Sequence, residues 1–343
     1  MVWTRRAGYY PKSASLQAVV ILPPSLYERH TYAGFEPAQA FDVVYGGHFE
    51  HRLLSARRAT MDHQRLVLGN VRIETGRYDF PVIAQGAMPK DCICIGMVAE
   101  GWRSTRYNTQ SIDEGEIQVY GPGVELMYHA AGASRWINFT TSEAALQSAA
   151  GARLGRPLKL PVRGLASFRL SPGRRAYLRT LVDDAMSLAW SLQPEGMGAR
   201  LAGEMARALV TAYADALCAA DLERRPSRTS SADRHYQLIL ACERLVLTQW
   251  VAEVDLTEIA RRTGYSLRSI EHIFRQRVGM TPGRWFTNIR LNGALRDLVA
   301  PGAGCSVTGV ATKWGFRHMS RFAAAYRTAF GELPSRTLAR AQN

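Results

Sequence analysis

The spacing of apolar residues changes once along the chain, from an alternating pattern to a helical one. Over residues 16–141, short β-branched or alternating runs are separated by Gly, Asn, Asp and Pro, which is typical of many short strands. Ser171 and Pro172 then predict a helix start, because Ser caps a helix and Pro suits its first turn. That helix is predicted to end near Leu192, and a second one covers residues 197–222.

These patterns predict an α+β protein with two domains. Residues 1–222 form the first domain, β-rich to about residue 141 as a barrel or jelly roll and helical over 171–222. Its two helices suit either a dimerisation element or an intramolecular pair that closes the barrel. The polar segment 223–233, ERRPSRTSSAD, has the composition of a linker. An all-helical domain over residues 234–343 follows.

Part of the helical domain occurs twice. Residues 259–265 match residues 310–316 at an offset of 51, and residues 270–282 match residues 322–334 at an offset of 52. A constant offset with a single slip indicates one supersecondary unit repeated, with one extra residue in the second turn. Each copy predicts a short helix, a glycine turn and a second helix, which is the helix-turn-helix pattern.

We call the two copies unit one, residues 256–278, and unit two, residues 307–330. Apolar spacing assigns one face of each second helix to the core, and the opposite face is predicted to enter a DNA major groove. A helix beginning at Pro282 would hold the two units in adjacent groove segments. The predicted DNA-contacting residues are Ser266, Leu267, Arg268, Ser269, Glu271, His272 and Arg275 in unit one, and Arg317, His318, Met319, Ser320 and Arg321 in unit two.

The charge of the chain favours a polyanionic partner. The formal net charge is +14, and residues 235–343 hold 15 Lys and Arg against 7 Asp and Glu. Positive charge of this density gains affinity by releasing counterions from phosphates. Arg268 is a candidate for reading guanine and Glu271 for accepting a hydrogen bond from cytosine. Five scattered cysteines indicate no disulfide framework and fit a reducing cytoplasm, and no apolar run is long enough to cross a membrane.

These residues resemble the AraC/XylS family of bacterial transcription regulators over roughly residues 235–341. The resemblance rests on Gly264-Tyr265-Ser266, Ile270, Phe274-Arg275 and Gly279-Met280-Thr281-Pro282 in the first copy. The second copy offers Gly315-Phe316, Ser320, Phe322, Tyr326-Arg327, Gly331 and Pro334. It implies two DNA-binding units after a cupin-like effector-sensing or dimerisation domain.

The chain departs from the family pattern at three positions. The arginine expected two residues before the aromatic residue is His272 in unit one and Ala324 in unit two. The Ser or Thr before the second proline is Leu333. The absence of an arginine at position 324 indicates that unit one carries most of the base recognition and that unit two mainly holds the DNA backbone.

Arginines in the β-rich part are candidates for an anionic effector, because guanidinium groups bind phosphate and carboxylate. Residues 103–115 loosely resemble the PilZ-type cyclic di-GMP motif, although two residues separate Asn108 from Ser111 where that motif has one. No His-x-His metal set is present, so no metal or cofactor is expected. The candidate effector-binding residues are Arg57, Arg58, Arg65, Arg103 and Arg106.

The sequence therefore predicts a cytoplasmic, non-enzymatic transcription regulator, an activator by preference, that acts as a homodimer. Its expected partners are double-stranded operator DNA, RNA polymerase and a small effector, anionic or a nucleotide such as cyclic di-GMP. Two alternatives stay open at this point. One is an architectural DNA binder without a ligand, and the other is a cupin-type metalloenzyme fused to a DNA-binding domain.

Overall fold

A computed structural model describes residues 25–54, 59–162, 164–222, 231–248 and 256–342. Two antiparallel sheets pack face to face, and helices follow, so the predicted α+β class is confirmed. Each sheet keeps two edge strands among the described residues. The closed-barrel form of the prediction is therefore wrong, and the two open sheets correspond to its jelly-roll form.

The larger sheet has seven strands. In spatial order they are β1 (Leu26–Ala33), β3 (Thr60–Leu68), β4 (Val71–Tyr78), β11 (Ser134–Thr141), β6 (Ile93–Glu100), β9 (Glu116–Tyr120) and β12 (Leu165–Arg169). The smaller sheet has five strands. In spatial order they are β2 (His48–Leu53), β5 (Val82–Ala87), β10 (Glu125–Ala130), β7 (Thr105–Tyr107) and β8 (Gln110–Ser111).

Three helices accompany the seven-stranded sheet. They are α1 (Glu143–Leu154), α2 (Pro172–Ser191) and α3 (Ala199–Leu222). The predicted cap at Ser171 is confirmed, since its side chain accepts from the amide of Arg174. The ring of Tyr213 on α3 stacks on Phe139 of β11 with centroids 4.0 Å apart, so these helices bury the outer face of the seven-stranded sheet.

Seven α-helices follow α3 in the described part of the chain. They are α4 (Ser231–Thr248), α5 (Leu256–Thr263), α6 (Leu267–Val278), α7 (Pro282–Val299), α8 (Val307–Lys313), α9 (Met319–Phe330) and α10 (Pro334–Gln342). Helices α5 and α6 form unit one, and α8 and α9 form unit two. Both predicted helix-turn-helix units and the predicted helix between them are present. The end of the predicted linker differs, because α4 already begins at Ser231.

Apolar packing is continuous between the sheets and the helical units. Ile83 and Met127, from the five-stranded sheet, are buried in one cluster with α4, α6 and α7. The core between the two sheets joins a cluster that includes Phe322 and Tyr326 of unit two. The helices that carry the candidate DNA-binding residues therefore pack against the β-sheets.

Candidate nucleic-acid interface and effector cavity

Unit one places a capped helix behind a tight turn. Gly264 has φ +73°, a left-handed conformation that costs glycine little. Ser266 then caps α6, and its side chain accepts from the amide of Ser269 at 3.1 Å. Ile270 and Phe274 are fully buried, which fixes the rotation of the helix and turns the opposite face outward.

The outward face of α6 carries the predicted contact residues. Arg268, Glu271, His272 and Arg275 are all exposed, and Leu267 has 45% of its side chain exposed. Arg275 lies 3.7 Å from Glu271, one turn away along the helix. The hydroxyl groups of Ser266 and Ser269 are hydrogen-bonded to each other, and the Ser266 hydroxyl also accepts from the Ser269 amide. Both hydroxyl groups therefore already stabilise the start of α6 in the absence of DNA. The face offers a mixed set of hydrogen-bond donors and acceptors.

Unit two has the same glycine turn as unit one, but its outward face is less polar. Gly315 has φ +76°, and Phe322 and Tyr326 are buried as their counterparts are. Arg317, His318, Ser320 and Arg321 are exposed as predicted, and so is Ala324. His318 occupies the cap position without a capping side-chain bond.

Met319 does not fit its predicted role as an outward residue. Its side chain is half-buried and packs against the apolar cluster that contains Phe322. The first residue of a helix lies where the chain is still entering from the turn, so its side chain can fold back on the core. The prediction of DNA contact for Met319 is therefore not supported by its position.

An acidic residue that the sequence analysis did not single out organises the last turn of α5. Glu258 accepts hydrogen bonds from Arg261 at 2.8 Å and from Arg262 at 2.6 Å. These bonds from Arg261 and Arg262 lower the pKa of Glu258 to about 2. The i,i+3 and i,i+4 spacing is the signal in the sequence that could have indicated this cluster.

The three candidate effector arginines that the structure describes do not meet at one site. Arg65 donates to the buried Glu74 at 2.7 Å and to the exposed Asp42 at 3.1 Å. Arg103 lies over the ring of Trp102. Arg106 donates to main-chain carbonyl groups of unit one. Arg57 and Arg58 lie outside the described residues.

A narrow cavity of about 40 Å³ lies between the two sheets. None of Arg65, Arg103 and Arg106 lines it. Its lining is mostly apolar and aromatic, from Val43, Val44, Phe49, Tyr78, Ala84, Met88, Gly96, Tyr107, Tyr120, Leu126, Tyr128, Trp136, Ile137 and Asn138. The volume suffices for a few water molecules, so a larger ligand requires the walls to move apart.

The cavity carries no charge at neutral pH. Burial raises the pKa of Tyr128 to about 12 and raises the pKa values of Tyr78, Tyr107 and Tyr120 as well. Burial also lowers the pKa of His51, which is 2.9 Å from the Tyr78 hydroxyl, to about 4. An unpaired anion would lose its hydration there without gaining a counter-charge. The expected anionic effector therefore does not suit this cavity.

Two polar atoms of the cavity lining have no hydrogen-bond partner among the described residues, namely the Oδ1 oxygen of Asn138 and the hydroxyl of Tyr120. The Asn138 amide nitrogen donates to Thr140 at 3.2 Å, while its oxygen Oδ1 is buried and has no hydrogen-bond partner among the described residues. Buried acceptors usually have a partner. The oxygen can accept a hydrogen bond from a neutral ligand.

Neither a metal cluster nor a membrane helix appears in the described part of the chain. No group of three or more His, Cys, Asp and Glu side chains lies close enough to hold a metal ion there. None of the helices described is both long and apolar enough to span a bilayer.

Comparison with known proteins places the resemblance in the C-terminal part. A helix-turn-helix domain family model matches residues 259–340. The probable thc operon regulatory protein of Rhodococcus erythropolis is 40% identical over 86 residues, 25% of this chain and 26% of that protein. The XylDLEGF operon transcriptional activator of Pseudomonas putida is 40% identical over 86 residues, 25% of this chain and 27% of that protein. The chain thus spans about a quarter of the length of these relatives.

Solved structures give matches of two kinds. A probable AraC family transcriptional regulator from Rhodopseudomonas palustris is 30% identical, with 31% of this chain and 97% of that chain covered and a TM-score of 0.29. The AraC-like transcriptional activator CuxR is 13% identical, with 76% of this chain and all of that chain covered and a TM-score of 0.36.

Proposed function

We propose a regulator of transcription, on the premise that residues 259–340 belong to the AraC/XylS type of helix-turn-helix domain. Both units bind operator DNA, and unit one supplies most of the sequence specificity. The observation that carries the proposal is the exposed Arg268, Glu271 and Arg275 face on a helix fixed by Ser266 and by its buried apolar residues. The protein acts as an activator, as several of its relatives are named, and RNA polymerase is then a further partner.

Footprinting of the full chain tests the use of two units. The DNA is a site selected from random sequences by the protein itself. Two recognition helices in successive major-groove segments should protect two stretches about 34 Å, or roughly ten base pairs, apart. Binding should also weaken steeply with salt. A single protected stretch, or equal affinity for selected and random DNA, would contradict the proposal.

The second part of the proposal is a small, neutral effector that enters the cavity between the sheets. Uncharged tyrosines and a neutral His51 favour an apolar molecule, and the free Oδ1 atom of Asn138 favours one hydrogen-bond donor on it. Such a ligand replaces the anionic or nucleotide effector expected from the arginines. It also distinguishes this protein from an architectural DNA binder, which needs no ligand.

Three probes of similar size test the chemistry of the cavity. Phenol has an apolar ring and one donor, benzene lacks the donor, and benzoate is an anion. Calorimetry on the full chain should rank phenol above benzene and detect no heat with benzoate. Asn138→Leu should remove the advantage of phenol over benzene. Heat with benzoate alone would restore the anionic effector and overturn the neutral one.

A homodimer is the remaining part of the proposal. Of the helices α2 and α3, α2 exposes apolar side chains along one face, since Tyr177 at 60% and Leu188 at 36% exposure lie eleven residues, or about three turns, apart. A shared exposed apolar face supports a protein contact. Sedimentation of the full chain should give the mass of a dimer. Tyr177→Glu should shift it to the monomer, while Val162→Glu, an exposed control outside these helices, should not. A monomer at all concentrations would contradict the dimer.

A further inference from the structure

The five-stranded sheet is a single-layer wall between the cavity and unit one. Side chains alternate between the two faces of a strand. One face points into the space between the sheets, and its cavity-lining residues are Phe49, Ala84, Tyr107, Leu126 and Tyr128. The other face points towards the helical units, through Arg52, Ile83, Arg106, Met127 and His129.

The outer face of the wall is built into the core of unit one. Ile83 and Met127 are fully buried in the cluster that contains Phe274 of α6. The ring of His129 lies 6.4 Å from that of Trp285 on α7, in an edge-on arrangement. Because protein interiors are close-packed, a shift of this sheet must displace the helices that rest on it.

Arg106 completes the last turn of the recognition helix α6. Its guanidinium Nη1 donates to the carbonyl oxygens of Gln276 at 2.7 Å and Arg277 at 2.8 Å. The last carbonyls of a helix have no partner inside it, and a cation near them is favoured by the helix dipole. The neighbouring residue on the strand, Tyr107, lines the cavity. The short strand β7 therefore contacts both the C-terminal end of α6, through Arg106, and the cavity, through Tyr107.

Strand β2 holds α7, the helix between the two units, in a similar way. Asn292 of α7 accepts from the amide of Leu53 at 2.7 Å and donates to its carbonyl at 3.1 Å, so it pairs with an edge strand as another strand would. Arg52 also bonds the fully buried Glu243 of α4 at 2.9 Å. On the opposite side of the strand, Phe49 lines the cavity.

We propose that the outer face of the five-stranded sheet positions α6 and α7 for DNA, with Arg106 as the positioning residue of α6. The same sheet then couples the cavity to DNA affinity, because the cavity is too small for a ring-sized ligand unless a wall moves. The coupling rests on the proposed function, namely DNA binding and a ligand between the sheets. The positioning role of Arg106 rests on the DNA binding alone.

Arg103 provides a matched control for Arg106. It lies three residues away, carries the same charge and contacts Trp102 of its own loop. In the full chain, Arg106→Ala should weaken binding to the selected site about tenfold, as expected for the loss of charge-assisted hydrogen bonds. Arg103→Ala should stay within about twofold by the same arithmetic. Arg106→Lys, which keeps a donor and the charge, should recover most of the affinity.

Equal affinities for the two alanine variants would overturn the positioning role of Arg106. If Arg106→Ala does not fold, the comparison passes to Arg106→Lys and Arg106→Gln. The lysine variant must then bind the site more tightly than the glutamine variant. Hydrogen exchange gives a second readout, because the last turn of α6 should exchange faster in Arg106→Ala and not in Arg103→Ala.

The coupling is tested by the same substitution on opposite walls of the cavity. Tyr107 belongs to the five-stranded sheet and Tyr120 to the seven-stranded sheet, and both line the cavity. Tyr107→Leu should weaken DNA binding severalfold. Tyr120→Leu should weaken it less, because Tyr120 reaches α6 only through its ring contact with Tyr107, at a centroid distance of 6.2 Å. Combining Tyr107→Leu with Arg106→Ala should add little to the effect of Arg106→Ala, because both act on α6.

The outcomes separate this inference from the function on which it rests. A wild-type chain without a preferred DNA site overturns the proposed function. A wild-type chain that binds its site, with equal effects of Tyr107→Leu and Tyr120→Leu, overturns only the coupling through the wall. If either leucine variant is unfolded by its melting curve, the corresponding phenylalanine variants replace the pair and are judged by the same criterion.

Discussion

Unit one and unit two share a framework and differ in their surroundings. Unit one rests on the five-stranded sheet and on a buried hydrogen bond from the Trp285 indole to Glu243 at 2.8 Å. Unit two contacts the β-rich part of the chain through packed aromatic rings such as Phe35 and Phe330, whose centroids are 5.9 Å apart. Its Trp314 indole bonds the half-exposed Asp297 at 2.7 Å. The polar support of one unit is buried and that of the other is partly hydrated.

The outward faces differ in the same sense. Unit one combines Arg268, Glu271 and Arg275, whereas unit two has a half-buried Met319 and an exposed Ala324 between its arginines. Most repeated positions are those that the fold requires, namely the glycine turns and the buried aromatic residues, although Arg275 also recurs as Arg327. The proposed base contacts, Arg268 and Glu271, lie at positions that the repeat does not share.

Removing the acidic partner of each tryptophan should give the largest contrast. Glu243→Ala leaves the buried Arg52 with only its longer ion pair to Glu50, at 3.7 Å, so the free energy of unfolding should fall by about 3–5 kcal/mol. Asp297→Ala leaves partners that reach water, and the loss should be about 1 kcal/mol. Urea denaturation of the full chain measures both. The double variant Arg52→Met, Glu243→Gln, which keeps an acceptor for the Trp285 indole, should recover part of the first loss, and equal losses at the two sites would remove the distinction between the units.

Lowering the pH should reduce the stability of the folded protein through His129, which packs beside unit one. Burial, and then the charge of Arg106, lowers the pKa of His129 from 6.5 to about 4. Above pH 6.5 the folded and unfolded states are both neutral at this residue. As the pH falls towards 4, only the unfolded state gains the proton, so stability falls by roughly 3 kcal/mol.

The comparison between wild type and His129→Leu isolates this effect from the titration of carboxylates. Unfolding free energies measured between about pH 7 and pH 4 should shift in favour of the variant as the pH falls. A constant difference between wild type and His129→Leu would show that His129 is free to protonate in the folded state.

Base recognition should differ between the units by a smaller amount. Arg268→Ala should cost about 1–3 kcal/mol on the selected site and relax the preference at one base pair. Arg321→Ala should weaken binding to all sequences alike and reduce the salt slope by about 1, as a phosphate contact does. Binding to the selected site and to its single-base variants measures both. Uniform weakening by Arg268→Ala would instead assign Arg268 to the DNA backbone.

The local features of the two units could be predicted from the sequence because local spacing encodes them. Gly264 and Gly315 form the turns that the repeat indicated, and Ile270 and Phe274 are buried as their apolar spacing required. The helix α1 has comparable signals, with Ser142 as its cap and Gly155 at φ +63° after its end. No helix was predicted over residues 142–170, so α1 is a finding of the structure alone.

The interface between the sheets and the units could not be predicted in this way. Arg52 and Glu243 are 191 residues apart, and no periodic pattern relates two positions at that distance. Arg65 and Arg106 were expected at an effector site because arginine suits anions. The chain instead uses Arg65 to pair with the buried Glu74 and Arg106 to satisfy helix carbonyls. Composition identified the residue type, and tertiary packing decided its partner.

Adding the missing arginine of unit two should have the smallest effect and the sharpest interpretation. Ala324 is exposed on α9, at the position where the family pattern has an arginine. Ala324→Arg places one cation beside the DNA, so the salt slope should increase by about 1. Affinity should rise less than tenfold, and equally for selected and random DNA. The site is selected by a protein without this arginine, so it offers the new side chain no specific base contact. Ala324→Gln is the control of similar length without the charge. If Ala324→Arg instead sharpens the preference for particular bases, unit two already lies deep enough in the groove to read sequence, and the division of labour between the units is wrong.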